Sequence, residues 1–411
     1  MKGFTSSLVT FLLVLPFLSI GLINAESKSC RAFAVGSKFR LEKAADRETF
    51  ATWVDSLVGE CAINFAPDRP NLVVFGELFG MVTALAGEDM TAARRAERLE
   101  DAFAIAGEEL MNRFLYHKLS NMWFGISDER ALFLSLTDKL YTPFFQIFPE
   151  LAKKYDCYII AGALSADVKA GSPSLTAWLM GYRNVSYSPS SNQVYNIASF
   201  WDPRGQLIGT TKKVYLTSKE IEMDLSRGML KDVEVYDTPF GKVGIAISLD
   251  AFRQDYVSWL DDNGCQIIVQ PDANDRPWAD YHPMSDVWQP KEWMWSTFGS
   301  IQKEYENIQV NICPMIVGNF YELVFDGQSS ITAKSDSYPQ DSYVGVDLQT
   351  DDPYYHGRYK GKFLARGSWV MSGDTDEIEA LRSMARSLQK GGTRENQYHE
   401  QIIWADIEVE P

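Results

Sequence analysis

Short, continuous apolar runs recur along this chain and constrain its fold more than any other feature. Asn71–Phe75 reads NLVVF, Cys157–Gly162 CYIIAG, Lys242–Ile247 KVGIAI, Gln266–Gln270 QIIVQ and Ile308–Val317 IQVNICPMIV. A strand covered on both faces has no reason to alternate polar and apolar residues, so such runs mark strands buried inside a layered fold. Between them lie helical patterns, such as Arg47–Cys61 with Phe50, Trp53, Leu57 and Val58 on one face. Gln193–Trp201 and Leu207–Thr211 flank the turn Asp202-Pro203-Arg204-Gly205 and read as a hairpin. Ile402–Glu408 reads as a closing strand. Strands alternating with helices, with hairpins interposed, predict an α/β layered architecture.

The 411 residues are enough for one large domain or two ordinary ones, and no linker composition interrupts them. One domain with two additions is the expectation. Residues 86–140 are charged, with Leu99, Phe103, Ala106, Leu110 and Phe114 at helical spacing. Residues 350–398 are polar and Gly-rich, but hold a helix pattern opened by Asp374 and Glu377 as a capping box and closed at Gly391-Gly392.

Residues 1–25 carry one charge, Lys2, followed by an apolar stretch from Leu8 to Ile23 and a small-residue site at Ala25. This predicts a secretory signal peptide, leaving a domain at 26–411 and a secreted or periplasmic protein. A span needs roughly 20 apolar residues, more than this stretch offers. No second segment of that kind follows, so no membrane attachment is expected after its removal. Of the five cysteines, Cys157, Cys265 and Cys313 sit in apolar runs and read as packed core thiols. Cys30 precedes the first strand and Cys61 ends the helix that returns alongside it, so a Cys30–Cys61 disulfide and two free thiols are both open readings.

The formal charge is −16, which repels phosphate backbones and argues against a nucleic-acid partner. Four histidines, His117, His282, His356 and His399, are widely separated, and HExxH, CxxC, P-loop, GxSxG and GxGxxG patterns are absent. No metal and no cofactor is therefore expected. Chemistry must come from polar residues at the carboxyl ends of strands, where open α/β sheets hold their ligands. Four stretches qualify: LVVFGELFG with Glu77, GTTKKVYLTSKE with Lys213 and Glu220, FGKVGIAISLDAFRQD with Ser248, and CQIIVQPDAND. The segment Trp278–Trp295 adds four tryptophans, read as core packing or as a pocket wall selecting an apolar or aromatic group.

In this order the stretches resemble the nitrilase, or carbon–nitrogen hydrolase, superfamily. Its usual FPE, KxHL and GxxICYDxRFPE patterns correspond to VFGE, KVYL and GIAISLDAFRQD here. NIASFWDPRGQLIGTTKK, YDTPFGK, FDGQSSI and IIWADIEV support the match, which runs from about residue 31 to 335 and again at 400–410. The resemblance implies an αββα sandwich with a helical insertion and a carboxyl-terminal extension, often dimeric. It implies a small amide or nitrile-like substrate, Glu77 as base and Lys213 as oxyanion cation, with Lys212 the adjacent alternative. Glu220 is the second glutamate, with Glu222 the fallback. Ser248 stands where the family has its cysteine, Asp250 matches the aspartate of CYD, and Asp250 and Trp278 are assigned to substrate binding.

The serine is the main departure. A thiol ionises near about pH 8.5, whereas a hydroxyl is far less acidic and a carboxylate is a weak base for it. Ser248 is then either a slow nucleophile or a binding residue. Two functions follow: an exported carbon–nitrogen hydrolase-like enzyme using Glu77, Lys213 and Ser248, or a catalytically inactive protein of the same fold that binds a small ligand or a protein.

Overall fold

The computed structural model describes residues 28–276, 278, 289–340, 343, 359–368, 398 and 400–410. The strands are β1 Lys28–Gly36, β2 Asn71–Phe75, β3 Tyr158–Ala170, β4 Tyr187–Trp201, β5 Leu207–Lys212, β6 Val235–Thr238 and β7 Gly241–Ile245. They continue with β8 Ile267–Val269, β9 Val310–Cys313, β10 Gly318–Phe320, β11 Leu323–Phe325, β12 Ser330–Ala333, β13 Lys362–Arg366 and β14 Gln401–Val409. One six-stranded sheet runs β14-β1-β2-β3-β4-β5 and the other β13-β12-β9-β8-β7-β6, with β10 and β11 forming a separate hairpin. Each sheet centres on a parallel triplet, β1-β2-β3 or β7-β8-β9, edged by antiparallel strands.

Burial on both faces explains the unalternating runs. Successive side chains of a strand point to opposite faces. Ala32, Ala34, Leu72 and Val74 therefore meet Val243, Ile245, Ile267 and Ile312 between the two sheets. Phe33, Val35, Val73 and Phe75 face outward, against the helices Arg47–Ala62 and Thr137–Tyr155. Ile268 and Cys313 do the same on the second sheet, against the helices Gln254–Asp262 and Gln289–Thr297. The result is four layers, helix–sheet–sheet–helix, as expected. The predicted hairpin is β4–β5, its turn held by Asp202, which accepts from the backbone N–H groups of Arg204 and Gln206.

The same face alternation overturns the Cys30–Cys61 disulfide. All the cysteines are free and buried. Cys30 points into the space between the sheets, while Cys61 lies with the helices on the outer face of the first sheet, near Cys157. The returning helix brings the two residues to the same end of the unit, but the sheet itself separates their sulfurs.

The first addition forms helices Leu99–Glu109 and Met111–Ser120, breaking the predicted continuous run at Leu110. Ala102, Ala106 and Leu110 are buried against the first helical layer. Of the second addition, β13 pairs with β12. The signal segment, the capping-box helix with Asp374 and Glu377, and His282, His356 and His399 lie outside the described residues. Among the described residues, no helix is long and apolar enough to cross a membrane.

Candidate active site

Glu77 lies two residues past the end of β2, and the chain turns sharply there, with Leu78 at φ +59°. The turn needs close backbone approach. A Cβ at Gly76 would lie 3.1 Å from the Asp272 carbonyl oxygen, and one at Gly162 on β3 would lie 2.7 Å from the Gly76 carbonyl oxygen. Glycine at 76, where the resemblance has proline, thus lets the backbone just past β2 approach Asp272, with Gly162 of β3 making room on the other side. The Glu77 carboxylate is left buried, 3% exposed.

Lys213 leaves the end of β5, its N–H donating to the Asn196 carbonyl. Its ammonium donates to Glu77 Oε1 at 2.6 Å and to Glu220 Oε2 at 2.9 Å. A third N–H of Lys213 has no partner among the described residues. Lys212 points the other way, to Asp167 at 2.7 Å and over the Tyr195 ring, so the choice between the two lysines falls on Lys213. Glu220 is buried in the first turn of a short helix, Ser218–Glu222, locked by a capping box with Thr217. Glu222 is exposed.

Asn196, on β4, completes this cluster and was not singled out from sequence. Its Nδ2 donates to both Glu77 Oε1 and Glu220 Oε1, each at 2.7 Å. Four polar side chains, from the loops after β2 and β5, from β4 and from the short helix, therefore hold one another. Burial pushes the Glu77 carboxyl above its ordinary range, with Lys213 opposing and Glu220 adding to the rise. Burial acts the same way on Glu220, but Lys213, Asn196 and Thr217 outweigh it and hold that carboxyl low. Burial alone would lower the Lys213 ammonium, and the two glutamates raise it instead.

Ser248 follows β7 at φ +49°, in the left-handed region that non-glycine residues avoid. Its N–H donates to the Pro271 carbonyl and its side chain is 8% exposed. Asp250 lies two residues on, fully buried, and accepts from the backbone N–H groups of Tyr215 at 2.8 Å and Val214 at 3.2 Å. The Asp250 carboxylate therefore clips the serine turn to the lysine loop. It is not among the residues lining the cavity, in contrast to the substrate-binding role expected of it. Burial raises its pKa to about 7 against those N–H groups.

Asp272, at the end of the fourth stretch, was also missed. It is fully buried, and its Oδ2 accepts from Cys313 Sγ at 2.9 Å. The Ser248 side chain is a further polar neighbour, yet no well-formed hydrogen bond reaches Oδ1. Burial holds this carboxyl well above its ordinary range, with Cys313 opposing and Glu77 reinforcing.

Glu77, Lys213, Glu220 and Ser248 all line one cavity of about 450 Å³. Its remaining wall is largely apolar, with Leu99 and Phe103 from the first addition, Phe252, Trp293 and Phe325. Trp278 is not part of it. The ring is fully buried, donating Nε1–H to Gln328 at 2.9 Å and standing edge-on to Tyr343. Among the described tryptophans of that segment, Trp293 takes the wall position.

The carbon–nitrogen hydrolase family model matches residues 34–297. Among curated proteins, the chain is 24% identical over 151 residues to Omega-amidase NIT2 of Danio rerio, covering 35% of this chain and 46% of that protein. It is 29% identical over 136 residues to Nitrilase 3 of Arabidopsis thaliana, covering 33% and 32%. The chain thus spans less than half the length of these relatives. Among solved structures, it aligns with a carbon–nitrogen hydrolase from Helicobacter pylori G27 at TM-score 0.47 and 16% identity, covering 89% of this chain and 95% of that one. Nit3 of Saccharomyces cerevisiae, described as a member of the nitrilase superfamily, aligns at TM-score 0.46 and 15% identity, covering 93% and 91%. With the family model spanning well over half of the sequence, this chain belongs to the carbon–nitrogen hydrolase family.

Proposed function

We propose that this protein hydrolyses the carbon–nitrogen bond of a small amide, with Glu77, Lys213 and Ser248 as the reacting groups. The observation that carries this reading is the 2.6 Å contact of Lys213 with Glu77 in a cavity that Ser248 also lines. Ser248 Oγ attacks the amide carbonyl, forming a C–O bond, and its proton passes to Glu77. The unpartnered N–H of Lys213 donates to the resulting oxyanion. The C–N bond then breaks, Glu77 returns its proton to the leaving amine, and an acyl-serine ester remains. Water then attacks that ester and gives a proton to Glu77; the acyl C–O bond to Ser248 breaks, Glu77 returns the proton to Ser248 Oγ, and the carboxylic acid leaves. The raised proton affinity of Glu77 suits a base that must deprotonate a hydroxyl. Glu220, held ionised, keeps Lys213 an ammonium.

One observation favours a second reading. The polar contact of the Ser248 side chain is with Asp272, not with Glu77. That arrangement suits a site that binds a ligand or partner without turnover. Ammonia release from a panel of amides, with Ser248→Ala and Ser248→Cys alongside, separates the two. Release by the natural protein and none by Ser248→Ala supports hydrolysis; release by Ser248→Cys alone supports binding. Export by residues 1–25 and assembly as a homodimer belong to the same reading. Amino-terminal sequencing of protein from the culture medium and light scattering test them.

A further inference from the structure

We infer that the amide's acyl part is a long apolar chain, neutral or positively charged at its far end, held in a second cavity that adjoins the site. The inference rests on the amide-hydrolase reading and names its substrate class. The second cavity has a volume of about 540 Å³ and shares Leu99, Phe103 and Met223 with the site cavity. The two cavities therefore meet at one apolar wall, which a chain bound at Ser248 would follow from one into the other.

Beyond that wall the floor stays apolar, with Phe114 and Leu132, while the rim is acidic. Glu100, Glu108, Asp128, Glu129 and Glu322 face a single cation, Arg98. Arg98 is 3.5 Å from Glu100, and Asp128 is paired with Lys118 at 2.8 Å. Glu108 and Glu129 have no ion-pair partner among the described residues. Glu322 accepts from the Leu99 N–H at 2.7 Å, fixing the start of the helix Leu99–Glu109 over both cavities. Apolar floor and acidic rim together accept methylenes and repel a carboxylate. This excludes ω-carboxylated amides and favours alkyl or ω-amino chains.

The test uses the full chain as Ser248→Ala, with binding followed by calorimetry. The probes are butanamide, octanamide and the ω-amino and ω-carboxy derivatives of octanamide. Each buried methylene tightens binding by roughly fourfold, so octanamide should bind at least about tenfold more tightly than butanamide even if only part of its chain is buried. The ω-amino derivative should match or exceed octanamide, and the ω-carboxy derivative should be at least about tenfold weaker. Ala104 lines only the second cavity. Ala104→Trp should erase the gain of octanamide over butanamide without changing butanamide binding, and Glu108→Lys with Glu129→Lys should restore the ω-carboxy probe. Equal affinity for the short and long amides, or an Ala104→Trp variant with the full chain-length gain, overturns the inference. Ammonia release by the natural protein, equal for butanamide and octanamide, would overturn it too, while leaving the hydrolase reading intact. Chain-length-dependent binding to Ser248→Ala with no ammonia from any amide in the natural protein would support the cavity assignment and remove the hydrolase reading.

Discussion

Lys213 Nζ lies 2.6 Å from Glu77 Oε1, although 136 residues separate them, and both side chains are almost wholly shielded from water. A buried ion pair gains from attraction only what it does not lose in desolvation, and removing one partner leaves the other charge stranded. The pair is therefore better read as a positioning device than as a source of stability.

Lys213→Met should be strongly destabilising, by about 3–5 kcal/mol, because Glu77 and Glu220 then share a buried site without a cation. Adding Glu77→Gln to that variant should recover part of the loss. Denaturant midpoints of the two single variants and the double variant measure this coupling; strictly additive losses would contradict it.

Asp250 should give the stability a pH dependence. Its folded pKa is about 7, above the ordinary carboxyl range, so between roughly pH 4 and 7 the folded state binds more protons than the unfolded one. Stability from this group is then present at low pH and is lost as pH rises through 7, by up to about 4 kcal/mol. Asp250→Asn removes the titration. The stability difference between natural protein and Asp250→Asn should therefore change steadily from pH 4 to 7 and level off above it; a pH-independent difference would refute the assignment.

Ser248→Gly should relieve the left-handed backbone at φ +49°, raising stability by about 1 kcal/mol while abolishing any covalent acyl intermediate. Thermal unfolding together with a turnover assay reads both effects. A variant that loses stability and keeps activity would count against the strained-nucleophile account.

The two tryptophans should separate by function. Trp278→Phe removes the buried hydrogen bond from the indole N–H to Gln328, and should cost about 1 kcal/mol of stability with KM unchanged. Trp293→Ala removes part of the cavity wall and should raise KM. The reverse pattern would return the pocket role to Trp278.

Much of this arrangement is legible in the sequence because local pattern determines it. Unbroken apolar runs give the buried strands, and a polar residue just beyond two of them gives Glu77 and Ser248, while Lys213 stands at the end of the hairpin strand β5. The Lys212 and Lys213 ambiguity resolves only in three dimensions, since strand parity sends one to Asp167 and the other to Glu77. Asn196 and Asp272 escaped because each acts through partners far along the chain, Glu77 and Cys313. Trp278 and Trp293 sit in one aromatic segment, where no local periodicity says which ring faces the cavity. Cys30 and Cys61 failed for the complementary reason: proximity along a βαβ unit was legible, but the intervening sheet face was not.

The most direct test of the account is intact-mass analysis of the protein quenched during turnover of an amide, with peptide mapping of any adduct. The account predicts an acyl group on Ser248 in the natural protein and none in Ser248→Ala, which should also release no ammonia. Undiminished ammonia release by Ser248→Ala, or an acyl group carried on another residue, would contradict it.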